Sequence, residues 1–169
     1  MRPFKAVGLK AVGLKAVGLG TAVALAVLLG GGPATAAAAD HHGEAVFTLV
    51  SQATGETVVD LDGNGFSPGD YVVFTDDLFR DGVRVGSDAG SCTLIDVADG
   101  GTSLCVVTVH LERGDLTAQA LTRGILAGGP DSFVAAITGG TGAFVDAGGE
   151  VIGTRVGLSS AELEFHVSR

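Results

Sequence analysis

The sequence predicts an all-β protein: a closed antiparallel β-barrel of about eight strands, preceded by a cleaved signal peptide. Three observations carry this. Beyond residue 39 the chain is a series of short apolar or alternating stretches, separated by Gly-, Asp- and Asn-rich turns and without a convincing helix. Glycine is abundant at 28 residues, tryptophan is absent, and no lysine follows residue 15; such a composition favours strands and turns. The stretch Asp131–Val151 reads as strand, glycine turn, strand. Strands this short and this regularly spaced suit a sandwich or a barrel, and closure removes exposed edges.

The opening residues are read as a leader rather than as fold. Arg2, Lys5, Lys10 and Lys15 form a positive n-region, Ala16–Gly32 is apolar, and Ala36–Ala39 supplies small residues for cleavage. The segment from Lys5 to Leu19 repeats the unit KAVGL three times in tandem, but inside the leader it is no solenoid unit. Cleavage is expected after Ala39, with Ala36 as the alternative. This divides the chain into a signal peptide, 1–39, and a barrel domain, 40–169. The apolar run of 17 residues is short for a membrane span, which needs about 20.

Removing the leader removes four of the ten basic residues and none of the nineteen acidic ones, leaving a net charge of −13. That surface disfavours nucleic acid and anionic membranes, and suits a secreted, extracellular protein.

Taken in order, Glu44–Ser51 alternates and predicts a first strand, with Glu56–Asp60 a second strand or an extension of it. Asp60–Asp70 (DLDGNGFSPGD) carries turn signals throughout. Tyr71–Thr75 predicts a strand turned at Phe79–Val83, and Val83–Gly86 carries the chain onward. Cys92–Val97 and Leu104–Leu111 predict a hairpin around Ala98-Asp99-Gly100-Gly101. Arg113-Gly114-Asp115 is a tight turn into the strand Leu116–Thr122, and Arg123–Pro130 a looser connection. Phe133–Thr138 is apolar and β-branched. Gly139, Gly140 and Gly142 allow positive φ at the turn that follows, and Phe144, Ala147 and Val151 begin the return. Ala161–Val167 alternates Leu163, Phe165 and Val167 against Glu162, Glu164 and His166, a half-buried last strand.

Cys92 and Cys105 are the only cysteines. An even pair in a secreted chain predicts a disulfide, and the two flank the Asp99 turn almost symmetrically.

Several of these stretches, in this order and spacing, resemble the allene oxide cyclases. They are Ser67–Phe79 (SPGDYVVFTDDLF), Arg84–Gly86 (RVG), Gly90–Thr93 (GSCT), Leu116–Gln119 (LTAQ), Asp131–Phe133 (DSF) and Ala136–Phe144 (AITGGTGAF). The glycine hairpin is also similar to that of plant dirigent proteins. The resemblance covers roughly residues 66 to 151. It implies an eight-stranded barrel with an apolar cavity for a small apolar molecule, whose cyclisation or isomerisation the barrel steers by fixing one conformer and excluding water. It leaves a homo-oligomer open and implies no cofactor.

The same resemblance places the cavity at Phe47, Thr48, Val50, Phe74, Cys92 and Phe133, and nominates Asp76 as the catalytic group. The Glu and Asn of the cyclases' first strand fall at Thr48 and Val50, so both are replaced here. An Arg in the return strand of the dirigent hairpin falls at Gly148. The match of Cys92 to a cavity cysteine of the cyclases sets a free thiol against the disulfide. One extra Ala, Ala135 or Ala136, lengthens the strand before the glycines and hints at a bulge.

Other features compete with this reading. A carboxyl on a barrel strand can face the cavity with a raised pKa, and of the neighbours Asp76 and Asp77 only one can point inward; both could instead sit in solvent at a strand end. Asp60–Gly65 (DLDGNG) matches the start of a calcium loop, but the twelfth place is Tyr71. A non-catalytic extracellular binding or structural module, calcium-binding through Asp60–Asp70, is therefore the alternative; no metal site is assigned. Asp40-His41-His42 at a new N-terminus could hold copper or nickel, or be a plain polar tail. His110 and His166 lack spaced partners for zinc. Ile137–Gly142 imitates a nucleotide loop, but Val145 stands where its third glycine belongs and no helix follows.

Overall fold

A computed structural model of the chain describes residues 43–169. The expected leader, its cleavage site and Asp40-His41-His42 lie outside the described residues. The strands are β1 (Ala45–Val59), β2 (Tyr71–Arg80), β3 (Val83–Asp96), β4 (Thr102–Leu111), β5 (Gly114–Arg123), β6 (Ser132–Gly140), β7 (Gly148–Arg155) and β8 (Ser160–Ser168). Each pairs antiparallel with its neighbour in sequence, and β8 closes on β1. Eight strands close with an interior wide enough for side chains or one small ligand. Among the described residues no helix is long and apolar enough to cross a membrane.

The chain folds into fewer, longer strands than the sequence reading divided it into. Glu56–Asp60 is the far half of β1, continuous across a bulge at Thr54: Ala53 pairs with Asp76 and Gly55 with Thr75. The Thr54 hydroxyl donates to the Thr75 carbonyl at 2.8 Å, which holds the bulge in place. Likewise Tyr71–Arg80 and Val83–Asp96 form one long hairpin turned at Asp81-Gly82, with a bulge at Val85. The polar residues Asp76, Asp77, Ser87 and Asp88 interrupt the apolar pattern there, so the sequence understates both strands. The expected bulge near Ala135 exists, but it sits at Thr138, where Thr117 pairs with Gly139 and Ala118 with Ile137.

The glycine turn follows the expectation at Gly142 but not at Gly140, which ends β6 without a positive φ and is instead crowded by the Asp115 and Phe144 carbonyl oxygens. Gly142 has φ of 59°, and a Cβ there would stand 2.5 Å from the Arg113 carbonyl oxygen. The turn after β6 thus packs backbone to backbone on the β4–β5 turn, with Ala143 N–H donating to that same carbonyl at 2.8 Å.

Inward residues fill one end of the barrel and leave the other open. Leu49, Leu78, Leu116, Phe165 and Val167 are almost fully buried and close the end that carries the β2–β3, β4–β5 and β6–β7 turns. Phe47 stacks on Phe165 with ring centroids 4.8 Å apart, and Arg80 lies over the outer face of Phe47 at 5.3 Å.

Cys92 and Cys105 face each other across β3 and β4, with Cα atoms 4.0 Å apart, and form a disulfide. The free-thiol alternative is thereby overturned. Replacing both by Ala should lower unfolding stability by roughly 3 kcal/mol, the chain-entropy value for so short a loop. Urea melts of the variant and the oxidised protein would check this; coincident curves would show that the bond contributes nothing.

Candidate functional site

The open end of the barrel leads into a cavity of about 670 Å³. Its mouth is formed by the loops after β1, β5 and β7, which contribute Phe66, Ile125, Leu126 and Leu158. Deeper in, Val107, Val109, Ala118, Ala120, Ala135 and Leu163 make an apolar wall. Alanines at three of these inward positions leave volume that larger side chains would fill.

Two glycines keep the phenyl rings off the middle of the hollow. Phe74 pairs across the strands with Gly90, and its ring lies against the glycine backbone. Phe133 does the same over Gly153. Each aromatic covers a bare glycine and lies along the wall. Gly153→Ala would push a methyl into the Phe133 ring and tilt the ring into the cavity. We expect weaker binding of the neutral dye Nile red, read by fluorescence titration, with little loss of fold; unchanged binding would show that the ring is not held this way.

The polar centre of the cavity is a pair of carboxyls, Asp76 on β2 and Asp88 on β3, directly opposite each other in the ladder. Asp88 is only 6% exposed, and its Oδ1 has no hydrogen-bond partner. Burial, followed by the negative charge of Asp76, pushes the Asp88 pKa up to about 7. Asp76 is raised too, by burial first and by the charge of Glu56 last, while its hydrogen bond with Asp88 pulls the other way. Two half-buried or buried carboxyls opposite each other in the ladder influence each other's ionisation, so the pair titrates as a unit. Asp77 turns outward and pairs with Arg84 at 2.7 Å.

Phe74, Asp76, Cys92 and Phe133 all line the cavity. Phe47, Thr48 and Val50 do not. Phe47 points inward but lies at the closed end behind Phe165. Thr48 and Val50 alternate with the buried Leu49 and Ser51 and therefore face outward. From β1 the wall receives Ser51, Ala53, Glu56 and Val58 instead. Asp88 was not anticipated. Its signal was the spacing Asp88, Gly90, Cys92 on one strand face, readable only if the strand was already known to run that far.

The acidic loop is organised by its own carboxylates. Asp60 accepts from the Gly63 and Gly65 N–H groups at 2.7 and 3.0 Å, and these bonds hold its pKa below the usual value. The buried Asp70 accepts from the N–H groups of Leu61 and Ser67 at 2.9 and 2.8 Å. Among the described residues no three His, Cys, Asp or Glu side chains converge on a metal-sized site. The lone histidines lie on the outer face, His110 against Asp115 at 2.7 Å and His166 against Glu164 at 2.6 Å.

An eight-stranded cup with one open mouth, an apolar wall and a carboxyl pair defines the class: a closed antiparallel β-barrel with an internal cavity. A family model described as "Allene oxide cyclase barrel like domain" matches residues 49–163, and the chain belongs to that family. Among solved structures it is similar to a pyocyanin demethylase, at 30% identity over 73% of this chain and 100% of the other, with a TM-score of 0.64. It also shares its fold with the Diels–Alderase AbmU from Streptomyces koyangensis (13% identity, 78% and 70% covered, TM-score 0.60). The pterocarpan synthase dirigent protein GePTS1 is similar as well (23% identity, 73% and 83% covered, TM-score 0.53). No curated protein matches the chain in sequence.

Proposed function

We propose that this protein binds a small, largely apolar molecule in its barrel and steers an isomerisation or cyclisation of it by moving a proton through Asp76 and Asp88. The observation that carries the reading is the open cavity of about 670 Å³ with that pair in its wall. A carboxylic acid beside a carboxylate can give one proton to the bound molecule and take another from it, so an isomerisation needs no outside reactant. An Asp88 pKa near 7 suits both directions at neutral pH. The apolar wall supplies conformer selection and excludes water. The neighbouring structures include a Diels–Alderase and a pterocarpan synthase, which supports a reading as a barrel that steers a small molecule.

The setting is extracellular in this reading. The leader is removed after Ala39, the barrel domain is 40–169, and the disulfide is compatible with an oxidising compartment. N-terminal sequencing of exported protein should begin at Asp40. Native mass spectra of that exported protein report whether the barrel assembles with copies of itself.

Native mass spectrometry of the protein purified from the culture supernatant of its own cells should show an organic cargo. That cargo, released and returned to the protein in D2O, should gain deuterium at carbon. Asp88→Asn should abolish the gain, with Nile red fluorescence reporting whether the variant's cavity is still formed. Equal deuterium gain with and without Asp88 would refute the proton role.

A further inference from the structure

We propose that the cavity takes a cationic ring system: a flat, apolar molecule bearing a delocalised or protonated nitrogen, seated with its positive charge against Asp76 and Asp88. This rests on the reading of the cavity as a ligand site and names the class of ligand. The cavity lining holds five acidic side chains, Glu56, Asp70, Asp76, Asp88 and Asp131, and one basic one, Arg155. Arg155 stands at the mouth, where it donates to the carbonyls of Gly128 and Pro130 at 2.6 and 3.4 Å. It therefore gives the inner carboxyls no counter-charge.

The second observation is the orphaned oxygen. Asp88 is 6% exposed and lines the cavity, yet its Oδ1 has no partner. A buried polar atom left unmatched costs free energy unless something completes it. The group facing it is Asp76 from β2, and the next charge beyond, felt by Asp76, is Glu56 from β1; both are acidic. From β4 the inward neighbours are Val107 and Val109, which carry no charge. Outside the sheet lie the Asp77–Arg84 and His110–Asp115 pairs, each with its own partner. Among the described residues no cation completes the site. A bound cation would, and the Phe74 and Phe133 rings along the wall add faces that attract positive charge. An anionic ligand would meet repulsion from the same carboxyls.

Three probes of one size separate the possibilities: N-methylquinolinium, 1-methylnaphthalene and 1-naphthoate, each titrated calorimetrically into the purified protein at pH 8 and pH 5. At pH 8 the cation should bind roughly tenfold or more tighter than the neutral probe, as expected for one charge contact at protein-surface dielectric, and the anion should bind weakest. At pH 5 Asp88 has taken up its proton and the gap should narrow. Cation binding at pH 7 should also release protons, seen as a buffer-dependent heat. In Asp88→Asn the ratio of cation to neutral affinity should fall toward one. Equal affinities for cation and neutral probe in the native protein at pH 8, or tightest binding of naphthoate, would overturn this inference while leaving the apolar site intact. Binding of none of the three would overturn the ligand site itself, and this inference with it.

Discussion

Phe165→Ala is expected to lower the unfolding free energy by about 3–5 kcal/mol, the usual cost of removing a buried aromatic. Phe165 is 1% exposed and belongs to the plug that closes one end of the barrel. One face stacks on Phe47, and the other end of the side chain borders the cavity. The cost should fall at the high end. The surrounding side chains stand on hydrogen-bonded strands and cannot close in on the gap, and the vacated space joins an existing hollow. Thr48→Ala, on the outward face of the neighbouring strand, should change stability by less than about 0.5 kcal/mol. Urea unfolding of both variants checks the pair. Similar losses would mean that the plug does not hold the barrel closed.

The second large effect concerns pH. A carboxyl with a folded-state pKa near 7 and an ordinary unfolded value binds more protons folded than unfolded between those limits. Stability then falls as pH rises through that window. The contribution is neutral below about pH 4 and fully unfavourable above about pH 7. The shift corresponds to on the order of 4 kcal/mol as an upper bound, at about 1.4 kcal/mol per pH unit. Asp88→Asn removes the titrating group. The difference in stability between variant and native protein should therefore grow from pH 4 to pH 8 in favour of the variant. Taking the difference between the two proteins cancels the titrating groups that do not interact with Asp88, leaving Asp88 and its partner Asp76. Chemical denaturation at both pH values measures it, and a difference that stays flat with pH would show that Asp88 ionises normally.

Much of the architecture was legible because its signals are local. Alternation in Ala161–Val167 marked β8, the Asp99 turn marked the β3–β4 hairpin, and Gly139, Gly140 and Gly142 marked the turn between β6 and β7. The cysteine pair was readable from its spacing about that turn. Phe74, Asp76, Cys92 and Phe133 were placed in the wall through a family likeness. Thr48 and Val50 were misplaced by the same route, since a one-residue error in aligning a strand exchanges its two faces.

The pairing of the two carboxyls shows where local reading stops. Counting outward from Asp81-Gly82 without interruption sets Asp76 opposite Ser87. The bulge at Val85 advances the register by one, so that Asp88 meets Asp76 instead. The bulge at Thr54 does the same to β1: the inward positions 49, 51 and 53 give way to 56 and 58, and Glu56 turns to the cavity. No residue type announces either bulge.

By itself, then, the sequence determined a closed antiparallel sheet, most of its turns and its one covalent cross-link, because turn chemistry and two-residue alternation act between near neighbours. Only the tertiary structure decided which carboxyls share the cavity and that the cavity stays open. Side-chain facing depends on the summed register of all eight strands, and an open interior depends on aromatic rings finding glycines on the next strand over.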